Sequence, residues 1–427
     1  MSPPLLLDLS RLLWRAERFA PTGIDRVELA YARHLIATAR ARLLFAGWWG
    51  RFGLLGSEQA IALVGALDKL WSGTIVDRAL HAEVARMARR LRARLLLHGD
   101  KGAMESYLRG SGVTPIYLLV SHHHLDRFAA LKRFKERSSA RFVFLVHDLI
   151  PVELPETVRR GQAARHRRRM DTVARLADRV IVNSAGTGAA LRRHCEQLGR
   201  TPEQLVAPLG LDLPLAEQPA DVAATAPYFV CIGTIEARKN HILLLEVWRD
   251  LARELGARAP RLLLLGRLGW KSREAMSLLE RTGSIGGLVE QHRALPDSAV
   301  ASLLAGARAL LHPSWAEGYG LPVAEALAQG VPVLCSALPA LREVGKNVPD
   351  YLDPADGAAW RAAILDYMDA GSLRRQAQLG RMKGWRPPSW VEHFALVEPL
   401  LDDDRVAPRS IGRREDIARP AAAPRSR

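Results

Sequence analysis

Cysteine, acidic side chains and long apolar runs are all scarce in this sequence, and each shortage closes off a class of protein. Three cysteines occur in 427 residues, Cys195, Cys231 and Cys335, far apart and in no metal-ligand spacing. Neither a disulfide scaffold nor a zinc module is expected. Two of them stand in apolar runs that read as strands, where a thiol acts as a small hydrophobe. No apolar stretch approaches the roughly 18 residues of a membrane-crossing helix, and no basic segment followed by an apolar one opens the chain. A cytoplasmic protein is therefore expected. Aromatic residues, 6% of the chain, do not interleave with the basic clusters, and no nucleic-acid-binding motif is present, so no nucleic acid partner is expected. No repeat with a period of roughly 20 to 50 residues is visible.

Asp and Glu number 45 against 61 Lys and Arg, a formal net charge of +16. Such an excess suits an anionic ligand or an anionic membrane surface, or serves solubility alone. The length fits two domains of about two hundred residues each. Hydrophobic content of 48% with 25% charged residues is that of a water-soluble globular chain.

One stretch organises the rest. Ala309 to His312 is an apolar run that meets Pro313 and Ser314, so a buried strand ends there. Glu317, Gly318, Tyr319 and Gly320 make a glycine turn. From Leu321 good helix formers run to Gly330, with Pro322 where a first helical turn accepts proline. Val331 to Cys335 reads as a second buried strand. Gly318 and Gly320 leave backbone N–H groups uncovered at a helix entrance, which suits a phosphate. Glu325, about one turn into the helix, is placed to accept two hydrogen bonds from a vicinal diol, and Glu317 lies in the turn beside it.

The span Glu317 to Glu325 resembles the E-x7-E motif of retaining nucleotide-sugar glycosyltransferases of family 4. The resemblance implies an α/β chain of GT-B architecture, two Rossmann-like domains facing each other across a cleft. Expected boundaries are 1–212 for an N-terminal acceptor-side domain, 213–227 for a linker and 228–384 for a nucleotide-sugar-binding domain. Residues 385–403 would form a closing helix that packs back on the first domain, and 404–427, rich in Arg, Pro and Ala, a disordered tail.

Taken in order, Leu5 to Leu9 reads as the first strand, and a helix is entered through Thr22 and Gly23, with Asp25 and Arg26 in its first turn. A glycine there lets backbone approach a phosphate, and by the resemblance Gly23 faces the donor and acceptor cleft. Leu43 to Ala46 is a second strand, with Trp48 and Trp49 opening a loop. A basic helix is expected from about Asp77 to Leu97. Ile116 to Val120 is a third strand delivering His122, His123 and His124, adjacent residues that cannot converge on one metal ion and read as helix-entrance residues at the cleft. Phe142 to Val146 is the fourth and delivers His147 and Asp148 at its carboxyl end, where open α/β sheets place ligand groups. The resemblance puts His147 against the donor sugar. A helix is expected from Thr157 to Leu176, carrying Arg159, Arg160, Arg165, Arg167, Arg168 and Arg169. With Lys132, Arg133, Lys135 and Arg137 this basic surface would suit anionic lipid.

The second half opens on the strand Tyr228 to Ile232, followed by Gly233, Thr234 and then Arg238 and Lys239. Two cations at a strand exit can neutralise a pyrophosphate, one by a forked contact and one as a point charge, and they match the family's donor-phosphate motif. A helix is expected over Ser272 to Arg281, and the resemblance places backbone near Ala294, Leu295 and Pro296 against the nucleotide base. Lys346, Asn347 and Val348 depart from the small residues usual in the family. The implied reaction moves a sugar, by family analogy mannose from GDP-mannose, to a glycan or lipid-linked acceptor with retention. His147, Arg238, Lys239 and Glu317 would act on the reacting groups; Gly23, Gly318, Tyr319, Gly320, Leu321 and Glu325 would hold the donor. Neither a metal nor a cofactor is expected. A nucleotide-sugar epimerase and a non-catalytic nucleotide-sugar-binding subunit are the competing readings.

Overall fold

The computed structural model describes residues 3–39, 43–48, 51–73, 77–98, 114–212, 227–270, 277, 287–293 and 295–402. Two sheets carry the chain. The first holds β1 (Leu5–Asp8), β2 (Leu43–Trp48), β3 (Arg51–Leu54), β4 (Ile116–Leu119), β5 (Arg141–Val146), β6 (Arg179–Val182) and β7 (Glu203–Val206), in the order 3-2-1-4-5-6-7. The second holds β8 (Tyr228–Ile232), β9 (Arg261–Leu265), β10 (Val289–His292), β11 (Leu310–His312), β12 (Val333–Ser336) and β13 (Asp350–Leu352), in the order 10-9-8-11-12-13. All pairs are parallel except β2 with β3. Strands such as β5, buried along its whole length, are covered by helices on both faces, which is why they read as unbroken apolar runs.

The strand order reverses direction between β1 and β4 and again between β8 and β11, and ligands of open parallel sheets bind at the carboxyl ends of such switch points. The loops that leave those strands are therefore the ones to inspect. They include the turn before Gly23, the histidines after β4, Arg238 and Lys239 after β8, and Glu317 after β11.

Several elements differ from the sequence reading. The chain does not loop out at Trp48; β2 runs through it and returns antiparallel as β3, followed by a helix over Ser57–Ser72. The long basic helix begins only at Gln162, because Pro155 and Gly161, at φ +82°, interrupt it with a short helix Ile150–Glu153 and a 3-10 turn. His122 to His124 lie in a bend with His124 at φ +61°, and the next helix starts at Phe128. Lys135 leaves the basic surface: it is buried and donates to Asp178 and to the Leu176 carbonyl. All of the expected helix 272–281 but residue 277, the linker up to 226, Ala294 and the tail from 404 lie outside the described residues.

The last helix, Trp390–Asp402, returns to the first lobe and packs on the helix Gly23–Ala37. Tyr31 Oη lies 2.7 Å from His393 Nε2, the His34 and Phe394 rings stack at 3.7 Å, and Arg179 donates to the Leu400 carbonyl. Further contacts tie the lobes across the cleft. The Glu343 carboxylate accepts the N–H groups of Ala185 at 2.7 Å and Gly186 at 2.9 Å, the first two of the helix Ala185–Glu196, where negative charge is favoured. Ser184 and Thr187 hydroxyls donate to the Gly318 carbonyl, and Tyr319 Oη donates to the Leu209 carbonyl. Arg26 makes a two-pronged ion pair with Asp297 at 2.5 and 2.7 Å.

Gly318 sets the closeness of this contact. A Cβ there would stand 2.3 Å from the His147 carbonyl oxygen and 2.9 Å from Asp148 Cβ. Gly318→Ala is therefore expected to spread the lobes and raise the radius of gyration in solution scattering. Gly384→Ala, whose Cβ meets nothing within 4 Å, is the control; superimposable curves for the two would contradict this account.

The cost of polar burial shows at Glu28, on the helix Gly23–Ala37. It is fully buried and accepts the Leu12 N–H. Burial, with Asp8 nearby, pushes its carboxyl up to about 8 from 4.5, so the folded protein holds it protonated at neutral pH. The unfolded chain ionises it, so this contribution to stability is complete below about pH 4.5 and is lost as pH rises to about 8. Denaturant midpoints at pH 5 and pH 8.5 should show Glu28→Gln gaining on the parent at the higher pH.

Candidate active site

The first part of the site is built at the exit of β8. Gly266, after β9, has its Cβ position 1.9 Å from the Gly233 carbonyl oxygen, so the two exits pass only as glycine against backbone. Ala237–Lys239 then forms a 3-10 turn ended by Asn240 in the left-handed region at φ +55°, with its side chain donating to the Pro354 carbonyl. This turn aims both cations at one carboxylate. Lys239 Nζ donates to Glu317 Oε1 at 2.5 Å, and Arg238 Nη1 donates to Glu317 Oε2 at 3.2 Å.

Glu317 is a hub. Besides the two cations, His312 Nε2 at 2.9 Å and Ser314 Oγ at 2.6 Å meet its Oε1. Burial opposes ionisation, yet Lys239, Arg238 and His312 hold its carboxyl well below the usual carboxylate range. His312 is itself held neutral by burial and by Lys239, so it donates through Nε2–H. This differs from the expected picture of a carboxylate open to sugar hydroxyls. The side chain is 7% exposed, and its four bonds, three on Oε1 and one on Oε2, are about what a carboxylate accepts.

The cations are also less free than expected. Arg238 Nε pairs with Glu236 at 2.7 Å, so Arg238 and Lys239 are matched in charge by Glu236 and Glu317. What remains for a ligand is donor capacity. Arg238 Nη2 takes no bond among the described residues, and Lys239 uses one of its three protons.

The second part is the helix Leu321–Ala328. Gly320 enters it at φ +104°, where a Cβ would lie 2.4 Å from Leu341 Cδ2, so the position demands glycine. Among the described residues the N–H groups of Gly320 and Leu321 have no acceptor, and Pro322 has no N–H. The carboxylate of Glu325, half-buried, takes no hydrogen bond from any described residue. Burial pushes its carboxyl up, Arg26 opposes that and Asp297 adds to it. Gly23 faces this helix from the other lobe, its Cβ position 3.2 Å from Leu321 Cδ1.

The remaining expected residues divide. His147 is buried, its Nε2 bound to the Val120 carbonyl at 2.8 Å, and burial lowers it to about 4, so it is neutral with Nδ1 left as an acceptor. Its own carbonyl accepts from Asn183 and lies beneath Gly318. Tyr319 does not join the Glu317 group; its ring turns to Leu209. Asp25 is spent on the capping box of its helix and on Arg11 and Arg15. His122 packs against both His147 and His166, with ring centres 5.4 and 5.0 Å apart. Among the described residues, however, no group of three or more His, Cys, Asp or Glu is placed to hold a metal ion.

Sequence reasoning missed His312, Ser314, Asp297 and Glu343. The first two carried a signal, polar side chains at the end of a buried strand. The last two carried none, because their partners lie 271 and about 158 residues away.

Comparison with known proteins places this geometry. Residues 226–370 match the family described as Glycosyl transferases group 1. The O-antigen chain mannosyltransferase B of Escherichia coli is 37% identical over 163 residues, 38% of this chain and 42% of that protein, so the match spans less than half of the relative. Two solved structures superpose on nearly the whole chain. Sucrose-phosphate synthase from Thermosynechococcus elongatus has a TM-score of 0.60 at 17% identity, over 93% of this chain and 98% of that one. Anabaena HepE in complex with UDP has a TM-score of 0.60 at 15% identity, over 93% and 99%. The second lobe resembles the glycosyl transferases of group 1, and the two-lobed frame that carries it is the GT-B fold.

Proposed function

We propose that this protein is a retaining, family 4 glycosyltransferase that moves a hexose from a nucleotide diphosphate sugar to a glycan or lipid-linked acceptor in polysaccharide synthesis, with no metal ion or cofactor. The observation that carries this reading is the unpartnered Glu325 carboxylate beside the bare N–H groups of Gly320 and Leu321, at the switch point of the second sheet. A carboxylate with both oxygens open suits a ribose diol, and a helix entrance suits the diphosphate next to it. Mannose is the preferred sugar, since a relative 37% identical over 163 residues is a mannosyltransferase. HepE, of like fold, binds UDP.

In the reaction the bond from the anomeric carbon to the diphosphate oxygen breaks, the acceptor oxygen bonds to that carbon on the same face, and the acceptor proton passes to the departing phosphate. Charge that grows on the leaving group is met by Arg238 Nη2, the spare Lys239 protons and the N–H groups of Gly320 and Leu321. Glu317 keeps Arg238 and Lys239 aimed, and its less crowded oxygen, Oε2, meets a sugar hydroxyl. His147 Nδ1 accepts from another. The first lobe works at the cytoplasmic face of a membrane, where exposed Arg159, Arg160, Arg167 and Arg168 each contribute about 1 kcal/mol against anionic lipid.

Three measurements test this. A panel of nucleotide sugars should give nucleotide release with transfer to acceptor, and an axial or equatorial anomeric proton matching the donor by NMR. Isomerisation without release would mean an epimerase, and binding without turnover a silent subunit. Arg238→Ala and Glu325→Gln should each lower turnover at least about tenfold, on the order of 1.4 kcal/mol in barrier; full rates in both folded variants would refute the assignment. The chain should also sediment with anionic but not neutral vesicles, and equal partition would remove the membrane from the scheme.

A further inference from the structure

A second cavity lies away from Arg238, Lys239, Glu317 and Glu325, none of which line it. It measures about 700 Å³ and opens between the first lobe, the end of the helix Pro339–Gly345 and the segment 384–396 that carries the chain back. Cavities of this size at domain interfaces are common homes for small ligands. Its charged lining can be sorted by what is already committed. Glu343 is bound to Ala185 and Gly186 N–H, Glu392 to Ser389, and Arg381 to Asp350 and the Val348 carbonyl. Lys346 and Arg386 have no carboxylate partner among the described residues. The unspent charge of the cavity is thus two cations.

Two further observations point the same way. Lys346 adopts φ +54° and ψ −127°, a backbone conformation that side chains other than glycine rarely hold, and such outliers concentrate where a side chain is being presented. Trp385, whose Nε1 is fixed on the Val344 carbonyl at 3.0 Å, supplies a held indole in the wall, with Tyr319 beside it. A planar wall with two cations is what a sugar ring bearing a phosphate requires.

We propose that this crevice is a binding site for a phosphorylated sugar, free or within a nucleotide, separate from the donor cleft. Lys346 and Arg386 hold the phosphate and Trp385 the ring. Two wall residues, Tyr319 and Glu343, also make the bonds that tie the lobes together, so occupancy alters lobe closure; on the donor reading given above, it changes the apparent KM for the nucleotide sugar.

The test is calorimetric titration of the full chain with mannose 6-phosphate, AMP, inorganic phosphate and mannose. One mannose 6-phosphate or AMP per chain should bind, more tightly than inorganic phosphate, and mannose should not. The pair of probes tells a free sugar phosphate from a nucleotide. Lys346→Gln with Arg386→Gln, both exposed positions, should weaken binding at least about tenfold, roughly the 1.4 kcal/mol that a factor of ten represents, while Glu325→Gln leaves it unchanged. No heat with either phosphorylated probe, equal affinity in the double variant, or loss in Glu325→Gln would each overturn the site. The last outcome would assign the binding to the donor cleft and leave the transferase reading standing.

Discussion

A single buried carboxylate organises the second lobe's half of the cleft. Glu317 accepts from Lys239, Arg238, His312 and Ser314, so the exits of β8 and β11 are fixed to each other by charge-assisted bonds in a place where water is nearly absent. Removing one partner of such a cluster strands the others, which is why clusters of this kind fix geometry more than they add stability. Here that geometry is the aim of two cations. Their positive charge is already balanced by Glu236 and Glu317, so the cleft presents oriented donors rather than a bare field.

The fold explains why these residues meet at all. Parallel strands deliver their loops to one edge, and a reversal of strand order opens a gap there. Arg238 and Lys239 leave β8, Glu317 leaves β11, and those strands are neighbours at the reversal. The first sheet reverses at β1 and β4, whose neighbour β5 delivers His147. The contact of Gly318 with the His147 carbonyl joins the two edges, so a small residue at one position decides how near two sugar-sized surfaces come.

Much of this was legible in the sequence, for a reason tied to element type. Buried parallel strands are short apolar runs ending in glycine, proline or polar residues, and β1, β4, β5, β8, β11 and β12 all read that way. The turn at Gly318 and Gly320 and the helix from Leu321 were equally plain. What escaped was set by distance. The hairpin β2–β3 has no glycine-asparagine turn to announce it, and the interruption at Gly161 was masked by an arginine-rich run that looks helical throughout. The enclosure of Glu317 depends on His312 and Ser314, which in sequence are merely two polar residues at the end of a strand and just beyond it. The pairing of Arg26 with Asp297 and the use of Glu343 as a cap for a helix in the other lobe arise only once the lobes are packed.

The return of the final helix to the first lobe carries a further consequence. The chain passes from the first sheet to the second after β7 and comes back before Trp390, where a Cβ on Gly210 would stand 2.3 Å from the Trp390 nitrogen. The front half is therefore built from segments that precede and follow the rear half, which is an insert within it. Recombination that swaps second lobes between relatives must cut twice and leave Tyr31, His34, His393 and Phe394 together; a single crossover would part the first lobe from the helix that covers it.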